Sequence, residues 1–587
     1  MAPASTRGGD HRSAFTNVLY LFLRRMRFPL VLIIVLYTIT VVGLSMMPGI
    51  DADGNPTPGM GLFLAFYVIS YTGTTIGFGE LPFPYSTAQR LWMTLSIYLT
   101  VLGWSYSVVT VLSLVQEPAF MNALKAGRFA RRINQLREPF YLVCGCGETG
   151  TLVCHGLDRL GFRFVVVEQN PARLQELRLE DFRSDAPMIV ADAAQPGTLI
   201  SAGLTSPWCR GVMALAVDDE TNRAIAVTVR LLAPKVPVLA RIGSAEGGNQ
   251  MGAFGGDMVI NPFERFARYL AAAVVAPESY RLREILTGLP GDDWPEEHRP
   301  PGGHWVMCGY GRFGHMIREE LCGAGLTMTV IDRLHYGEPG VDIQGTGVDA
   351  ASLRAAGIEH STGIVTGNAN DLKNLAIAIT ARELKPDLFV VTRQNQNSNA
   401  PLFKAFEHDL AMVPSRIVAR EFLALITTPL LARFLAAIPN RDEAWCTALI
   451  KRLARVNRHR VPEVWSVKLA SSQAEALRGA LVAGHRLTAG TLLTDPYERA
   501  HRTRGVLLMV ARGSQVFPLP DHDFQLQRGD ELLFAGSEQA RRRIDLVATN
   551  ENVLNYVRGA RDGAGGWLWQ WLEDRRNART KAGDGAS

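Results

Sequence analysis

Two long stretches without a single charge constrain this chain most. Residues 28–47 (FPLVLIIVLYTITVVGLSMM) and 91–115 (LWMTLSIYLTVLGWSYSVVTVLSLV) are each long enough to cross about 30 Å of hydrocarbon as a helix. A chain of 587 residues with two such stretches carries a small membrane part and a large water-facing part, and its mean hydropathy of +0.05 agrees. A secretory signal is the other reading of the first stretch. It is too long for one, and no small-residue cleavage site follows it. The second stretch is followed by Glu117 and Pro118, as for a helix leaving a membrane.

The flanking charges set an orientation. Arg24, Arg25 and Arg27 precede the first stretch, and Lys125, Arg128, Arg131, Arg132 and Arg137 follow the second. The intervening segment 48–90 has one Arg near its end and carries Asp51, Asp53 and Glu80. The positive-inside rule then places both termini in the cytoplasm and the 48–90 loop outside, in an inner cell membrane. Residues 14–23 read as an amphipathic segment along the inner interface. Net charge is only +5, too small a bias to imply nucleic acid as a partner.

Between the spans, residues 62–74 (LFLAFYVISYTGT) are apolar but too short to cross, and read as a re-entrant helix. Thr75-Ile76-Gly77-Phe78-Gly79-Glu80 follows. Non-helical backbone at membrane depth persists only where protein or a watery cavity satisfies it. Alternating glycines let successive carbonyls point one way, and four such strands around an axis would stack rings of oxygens able to replace a cation's water. The alternative is a Gly-rich extracellular turn. Span, short helix, T-I-G-F-G-E, span resembles the pore of two-span potassium channels. The resemblance implies a selectivity filter at Thr75, Ile76, Gly77, Phe78 and Gly79, with K+ as the bound ion. Glu80 stands where that family usually has Asp, and Phe78 lacks the hydroxyl that usually braces the filter, so a less selective cation channel is the variant reading. Gly103, mid-way along the second span, suits either close helix packing or the family's gating hinge.

The remainder repeats itself. FYLV (140–143) precedes Cys144-Gly145-Cys146-Gly147-Glu148-Thr149-Gly150, a helical stretch, and a second strand ending at Glu168. This strand, G-x-G-x-x-G turn, helix and acid-ended strand form the dinucleotide-binding fingerprint. WVMC (305–308) then precedes Gly309-Tyr310-Gly311-Arg312-Phe313-Gly314, and LTMTVI ends at Asp332. The two glycine turns and the two acids are both 164 residues apart. Asn222 and Asn374, and Arg241 and Arg393, match at 152, and Asp192 falls opposite Asp349. Two doubly wound Rossmann-like domains explain this. The predicted fold class is a membrane α-helical pore domain plus α/β: two tandem Rossmann-like domains and a small α+β C-terminal domain.

The expected boundaries are a cytoplasmic segment 1–26, pore domain 27–116, link 117–138, first Rossmann-like domain 139–290, linker 291–303, second domain 304–460 with its crossover helices, C-terminal domain 461–547 and tail 548–587. Residues 421–438 are long enough for a third span, but Pro429 and Arg433 make a crossover helix the expectation. The Trp- and Arg-bearing tail reads as a frayed helix or a headgroup contact.

The tandem resembles the RCK (regulator of potassium conductance, TrkA-N/TrkA-C-like) domains. That resemblance implies a homotetramer with eight RCK domains in a cytoplasmic ring, pulling on the inner helices when ligand binds. Glu168 and Asp332 favour NAD(H) or an adenine nucleotide (ADP or ATP) over NADP(H). The candidate nucleotide residues are Gly145, Gly147, Glu148, Thr149, Gly150, Glu168 and Asp192, with Gly309, Gly311, Arg312, Phe313, Gly314, Asp332 and Asp349. Calcium-gated relatives carry acids after the fourth strand and on the fifth. Asp218 and Asp219 are kept here, but Arg241 and Gly243, and Arg393 and Asn395, hold the second place, which argues against Ca2+. The seven cysteines all lie at or after residue 144 and read as reduced thiols; Cys144 and Cys146 are small residues at a strand end, not metal ligands. A membrane-anchored NAD-dependent oxidoreductase would need a general acid/base beside the nicotinamide, and no motif supplies one, so no enzyme is expected. A regulatory subunit of a separate transporter would not need a filter of its own.

Overall fold

The uncharged stretches are helices. A computed structural model describes residues 10–51, 55–80, 84–116, 118–243, 258–335, 337–438 and 441–559; Asp53, Glu117 and the tail beyond 559 lie outside them. The chain divides into two compact units, at Leu136/Arg137.

In the first unit, helix Asp10–Met46 contains the first stretch. Residues 14–23 belong to the same helix. Helix Thr87–Gln116 contains the second stretch. Met26–Met46 and Thr87–Ser113 are both long and apolar enough to span a membrane. A two-residue hairpin, β1 (Gly49–Ile50) and β2 (Pro56–Thr57), leads to the short helix Leu62–Gly73. Its Val68, Ile69 and Tyr71 pack on Val41, Leu44 and Met93 of the long helices. The long helices touch closely at Gly103: a methyl group there would lie 2.4 Å from Leu36 Cδ1. Helix Pro118–Gln135 completes this unit.

The second unit holds two six-stranded sheets of one design. The first runs β5 (Met188–Val190), β4 (Arg163–Glu168), β3 (Phe140–Cys144), β6 (Cys209–Ala214), β7 (Val238–Arg241), β8 (Met258–Ile260). The second runs β11 (Ile343–Gln344), β10 (Thr327–Asp332), β9 (His304–Cys308), β12 (Gly363–Thr366), β13 (Phe389–Arg393), β14 (Leu410–Met412). All pairings in both are parallel. The central strands are apolar and buried, as parallel strands covered on both faces must be.

The covering helices are exchanged. Helix Pro262–Val275 follows the first sheet in sequence, yet its Phe263, Phe266 and Leu270 lie in the core of the second, against Trp305, Met307 and Phe313. Helix Pro414–Thr427 follows the second sheet, and its Val418, Phe422 and Leu423 complete the core of the first, against Val143, Val153 and Met213. The long apolar stretch 421–438 is broken at Thr428 into this helix and Pro429–Ala437, whose Arg433 donates to Gly513 O at 3.0 Å. It therefore packs within the second unit.

The C-terminal domain is an antiparallel sheet, in the order β15 (Glu463–Lys468), β18 (Glu531–Gly536), β16 (Gly505–Arg512), β17 (Gln515–Pro518). Leu507, Leu532 and Phe534 face the helices of this domain, while Leu508, Leu533 and Ala535 face helices Pro277–Thr287, Pro429–Ala437 and Glu443–Asn457.

The exchange predicts where a core cavity is felt. Phe422→Ala and Phe266→Ala each lose about 3–5 kcal/mol of stability. In denaturant titrations followed by amide exchange of the full chain, Phe422→Ala exposes β3 and β6 first, and Phe266→Ala exposes β9 and β12. The reverse assignment would contradict the exchange.

Candidate functional site

The first candidate site begins where helix Leu62–Gly73 stops. The amides of Ile76 and Gly77 both donate to Tyr71 O, at 2.9 and 3.4 Å, and the chain leaves the helix axis. Thr75, Gly77 and Gly79 then take left-handed φ values of 63°, 66° and 89°. Residues alternating in handedness turn successive peptide planes the same way, so that their carbonyls form a row. Glycine holds that conformation at little cost. Thr75, being β-branched, does not, and such strain is found where function requires the geometry.

Sequence reasoning left this strand without a hydroxyl brace, because Phe78 has none. The structure supplies one from the helix behind: Tyr71 Oη donates to Gly79 O at 2.6 Å. The Phe78 ring lies 5.4 Å from that of Tyr71 and 6.5 Å from that of Tyr67. The signal was there, a tyrosine four residues before Thr75 on the apolar helix. Glu80 accepts from Tyr85 N at 2.8 Å and from Arg90 Nε and Nη2 at 2.9 and 3.0 Å. The Arg90 bond and the Tyr85 amide hold its carboxyl below the usual range, so it is charged at neutral pH.

The second candidate site occurs twice. Each glycine turn follows a central strand. Gly145 and Gly309 have φ of 96° and 104°, and Gly147 and Gly311 cap the following helices, Glu148–Arg159 and Arg312–Gly323, with ψ of −168° in both. A methyl group on Gly150 would lie 2.0 Å from Gly145 O, and one on Gly314 2.2 Å from Gly309 O. The end acids brace these turns. Glu168 accepts from Cys146 N at 2.6 Å and Asn170 N at 2.8 Å. Asp332 accepts from Tyr310 N at 2.7 Å and from Leu334 N and His335 N at 2.7 and 2.9 Å. A carboxylate has about four acceptor positions, so Glu168 keeps capacity for ribose hydroxyls, whereas Asp332 would take them in exchange for its fourth bond, to His335 Nδ1 at 3.1 Å. Asn222 and Asn374 are a matched latch. Each side chain bonds the backbone after the fourth strand (residues 216 and 368) and donates to Arg241 O or Arg393 O, at 2.9 and 2.8 Å.

Beside the second turn is a cleft of about 220 Å³ lined by Gly309, Asp332, Arg333, Thr346, Asn368 and Lys373. Space above Gly311 is open to 4 Å, so a phosphate has room there. Arg333 and Lys373 were not singled out in the sequence, although Arg333 directly follows the end acid. In the first repeat the corresponding cation is Arg173, whose Nη1 lies 3.3 Å from where a Gly147 Cβ would stand. These residues fit an anionic nucleotide at the turns. Asp192 and Asp349 instead bond nearby amides, Ala194 N at 2.9 Å and Ser352 N at 2.8 Å. Thr149 is buried, and Phe313 belongs to the second core.

Glu148 and Arg312, the first helical residues, face the other repeat. Glu148 accepts from Asn397 N at 2.8 Å. Arg312 lies beside Gly243, where a methyl group would meet its Nη1 at 3.0 Å, and Gly243 N donates to Asp219 at 2.8 Å. Arg393 sits over the rings of Phe263 and Phe313, at 4.7 and 5.6 Å. Burial, with Arg312 nearby, lowers its pKa to about 10. Burial likewise raises the thiols of Cys144, Cys146 and Cys308.

Asp332→Ala leaves three amides without their acceptor, at a cost of about 1–3 kcal/mol. Hydrogen exchange at 310 and 334–335 should accelerate in that variant, with exchange at 146 unchanged. Burial works against the Asp332 carboxylate, but bonds from His335, Tyr310 and Leu334 outweigh it and hold its pKa below the usual value. Its stabilisation is therefore complete above about pH 4 and is lost as pH falls through the lower folded value. The difference between wild type and variant should shrink in that acid window.

A TrkA-N domain family model matches residues 141–262 and 305–414. Among curated proteins, the chain is 22% identical over 234 residues to "Potassium channel protein 1" of Methanocaldococcus jannaschii, covering 40% of this chain and 68% of that one. It is 21% identical over 231 residues to "Voltage-gated potassium channel Kch" of Escherichia coli, covering 39% and 53%. Among solved structures, "GsuK channel bound to NAD" aligns with 90% of this chain and 99% of that one, at 17% identity and a TM-score of 0.42. The chain carries two stretches that match the TrkA-N domain, after two helices long and apolar enough to cross a membrane, and is similar to proteins named potassium channels.

Proposed function

We propose that this protein is a nucleotide-gated potassium channel: a homotetramer whose filter is Thr75–Gly79 and whose eight TrkA-N domains form the gating ring. The observation that carries this reading is the alternation of left-handed backbone at Thr75, Gly77 and Gly79, directly after an apolar helix too short to span. A single strand of this kind leaves its carbonyls unsatisfied in a membrane, and four around an axis would share them with dehydrated cations. The Tyr71–Gly79 bond holds the outer end of the strand in place of a hydroxyl at residue 78. Ile76 and Phe78 lie exposed on the single chain, which suits side chains that meet neighbouring copies.

The ligand proposed for the ring is NAD(H), with ADP or ATP as the other candidates. Glu168 and Asp332 suit ribose hydroxyls, and Arg173, Arg333 and Lys373 suit phosphate. Calcium is not the proposed ligand, because Asp219 and Asp371 spend oxygens on the backbone amides of Gly243 and Asn395 and Arg241 and Arg393 neighbour them. Both termini are proposed to be cytoplasmic, with helix Pro118–Gln135 as the covalent link between gate and ring. No catalytic role is proposed for either repeat.

Potassium flux from liposomes, with and without NAD+, NADH, ADP and ATP, tests the reading. Flux should depend on a nucleotide and favour K+ over Na+. Its absence with every ligand, together with hydride transfer in the same preparation, would establish the oxidoreductase instead. Gly77→Ala should abolish flux and leave nucleotide affinity unchanged. Glu168→Ala and Asp332→Ala should each weaken nucleotide binding in one repeat, about 10-fold or more, with selectivity unchanged. Whichever variant leaves affinity unchanged excludes its repeat.

A further inference from the structure

Away from both glycine turns, a cavity of about 230 Å³ lies between the exchanged helices. Its walls come from helices Pro262–Val275, Pro277–Thr287 and Pro414–Thr427, from the linker at Pro295 and His298, and from β14. Three guanidinium groups line it, Arg283, Arg416 and Arg420, with His298 and His408 beside them. The acids on the walls are largely committed. Glu421 is bonded to Arg265 at 3.2 Å and to the Tyr269 hydroxyl, and Glu284 is paired with Arg420 at 3.7 Å. Arg283 spends one donor on Leu435 O at 3.2 Å and lies over the Tyr269 ring at 5.6 Å. The Arg416 guanidinium has no hydrogen-bond or ion-pair partner among the described residues, and its charged neighbour is another arginine. Burial lowers the pKa of Arg283 to about 10, so it remains charged at neutral pH.

Gathering like charges in a partly desolvated cavity is unfavourable unless an anion offsets them, and guanidinium forks match the oxygens of phosphate. We propose that this cavity is a binding site for a small dianion, a free phosphate or a simple phosphate ester, held by Arg283, Arg416 and Arg420. Because the walls belong to helices that each repeat lends to the other, an occupant would tie the two repeats together at the exchange. The site is separate from the glycine turns and does not depend on which nucleotide they take.

The test is calorimetric titration and thermal unfolding of the full chain in detergent, with inorganic phosphate and glycerol 3-phosphate against chloride at equal ionic strength. Either dianion, but not chloride, should bind and raise the unfolding midpoint; stronger binding of glycerol 3-phosphate would identify an ester as the natural occupant, and stronger binding of phosphate the free anion. Arg416→Gln should weaken binding about 10-fold or more, and Arg416→Lys should restore part of it. A Gly147→Glu/Gly311→Glu double variant, which places a carboxylate at both glycine turns, should bind phosphate as the wild type does. Absence of dianion binding, unchanged affinity in Arg416→Gln, or loss of binding in the double variant would overturn the proposal. Nucleotide-dependent flux tests the channel reading separately, since it reads the turns and the filter.

Discussion

A parallel sheet has two apolar faces to cover, and in this protein neither Rossmann-like repeat completes the cover of its own. Phe263, Phe266 and Leu270, carried by the chain as it leaves the first sheet, are buried on the second. Phe422 and Leu423, carried by the chain as it leaves the second, are buried on the first. Each sheet is therefore incomplete without the other, and the pair folds as one body. Everything else in the second unit follows from this exchange. Helices Pro277–Thr287, Pro429–Ala437 and Glu443–Asn457 present a second apolar surface, onto which the C-terminal sheet packs its Leu508, Leu533 and Ala535. The first helical residues of the two glycine turns, Glu148 and Arg312, meet the opposite repeat.

The two repeats are alike in backbone and unlike in charge. The turns match closely: φ of 96° and 104° at Gly145 and Gly309, the same cap at Gly147 and Gly311, and an acid-to-amide bond at Glu168 and at Asp332. Around that common frame the first repeat offers Glu148 and Arg173, the second Arg312, Arg333 and Lys373. The same backbone thus carries different charges in the two repeats, and Glu148 ties the first turn to the second repeat through Asn397 N.

In the membrane unit the governing constraint is backbone satisfaction. Helices Asp10–Met46 and Thr87–Gln116 satisfy their own polar groups, and the short helix between them is held by Val41, Leu44 and Met93. The six residues after it do not form a helix, and their amides and carbonyls are handled individually: two amides on Tyr71 O, one carbonyl on the Tyr71 hydroxyl. One residue, through its backbone carbonyl and its hydroxyl, thus bounds the strand at both ends.

What could be read without a structure was what depends on near neighbours along the chain. Uncharged length marked the spans; alternating glycine marked the strand at 75–79; glycine spacing and an acid at a strand end marked both turns; and the constant offsets of 164 and 152 residues marked the duplication. These signals are local, because helix length, turn conformation and strand burial are set by residues a few positions apart. Tertiary structure decided the rest. That Tyr71 replaces the missing hydroxyl of Phe78, that Arg173 reaches the first turn, and that Phe313 is core depends on side chains meeting across folded elements. The exchange of Pro262–Val275 and Pro414–Thr427 is the clearest case. Their amphipathic patterns state that each helix has an apolar face to bury, but not which sheet receives it. That choice is made by shape and packing between segments distant in sequence, such as Phe422 and Val143, and no periodicity along the chain records it.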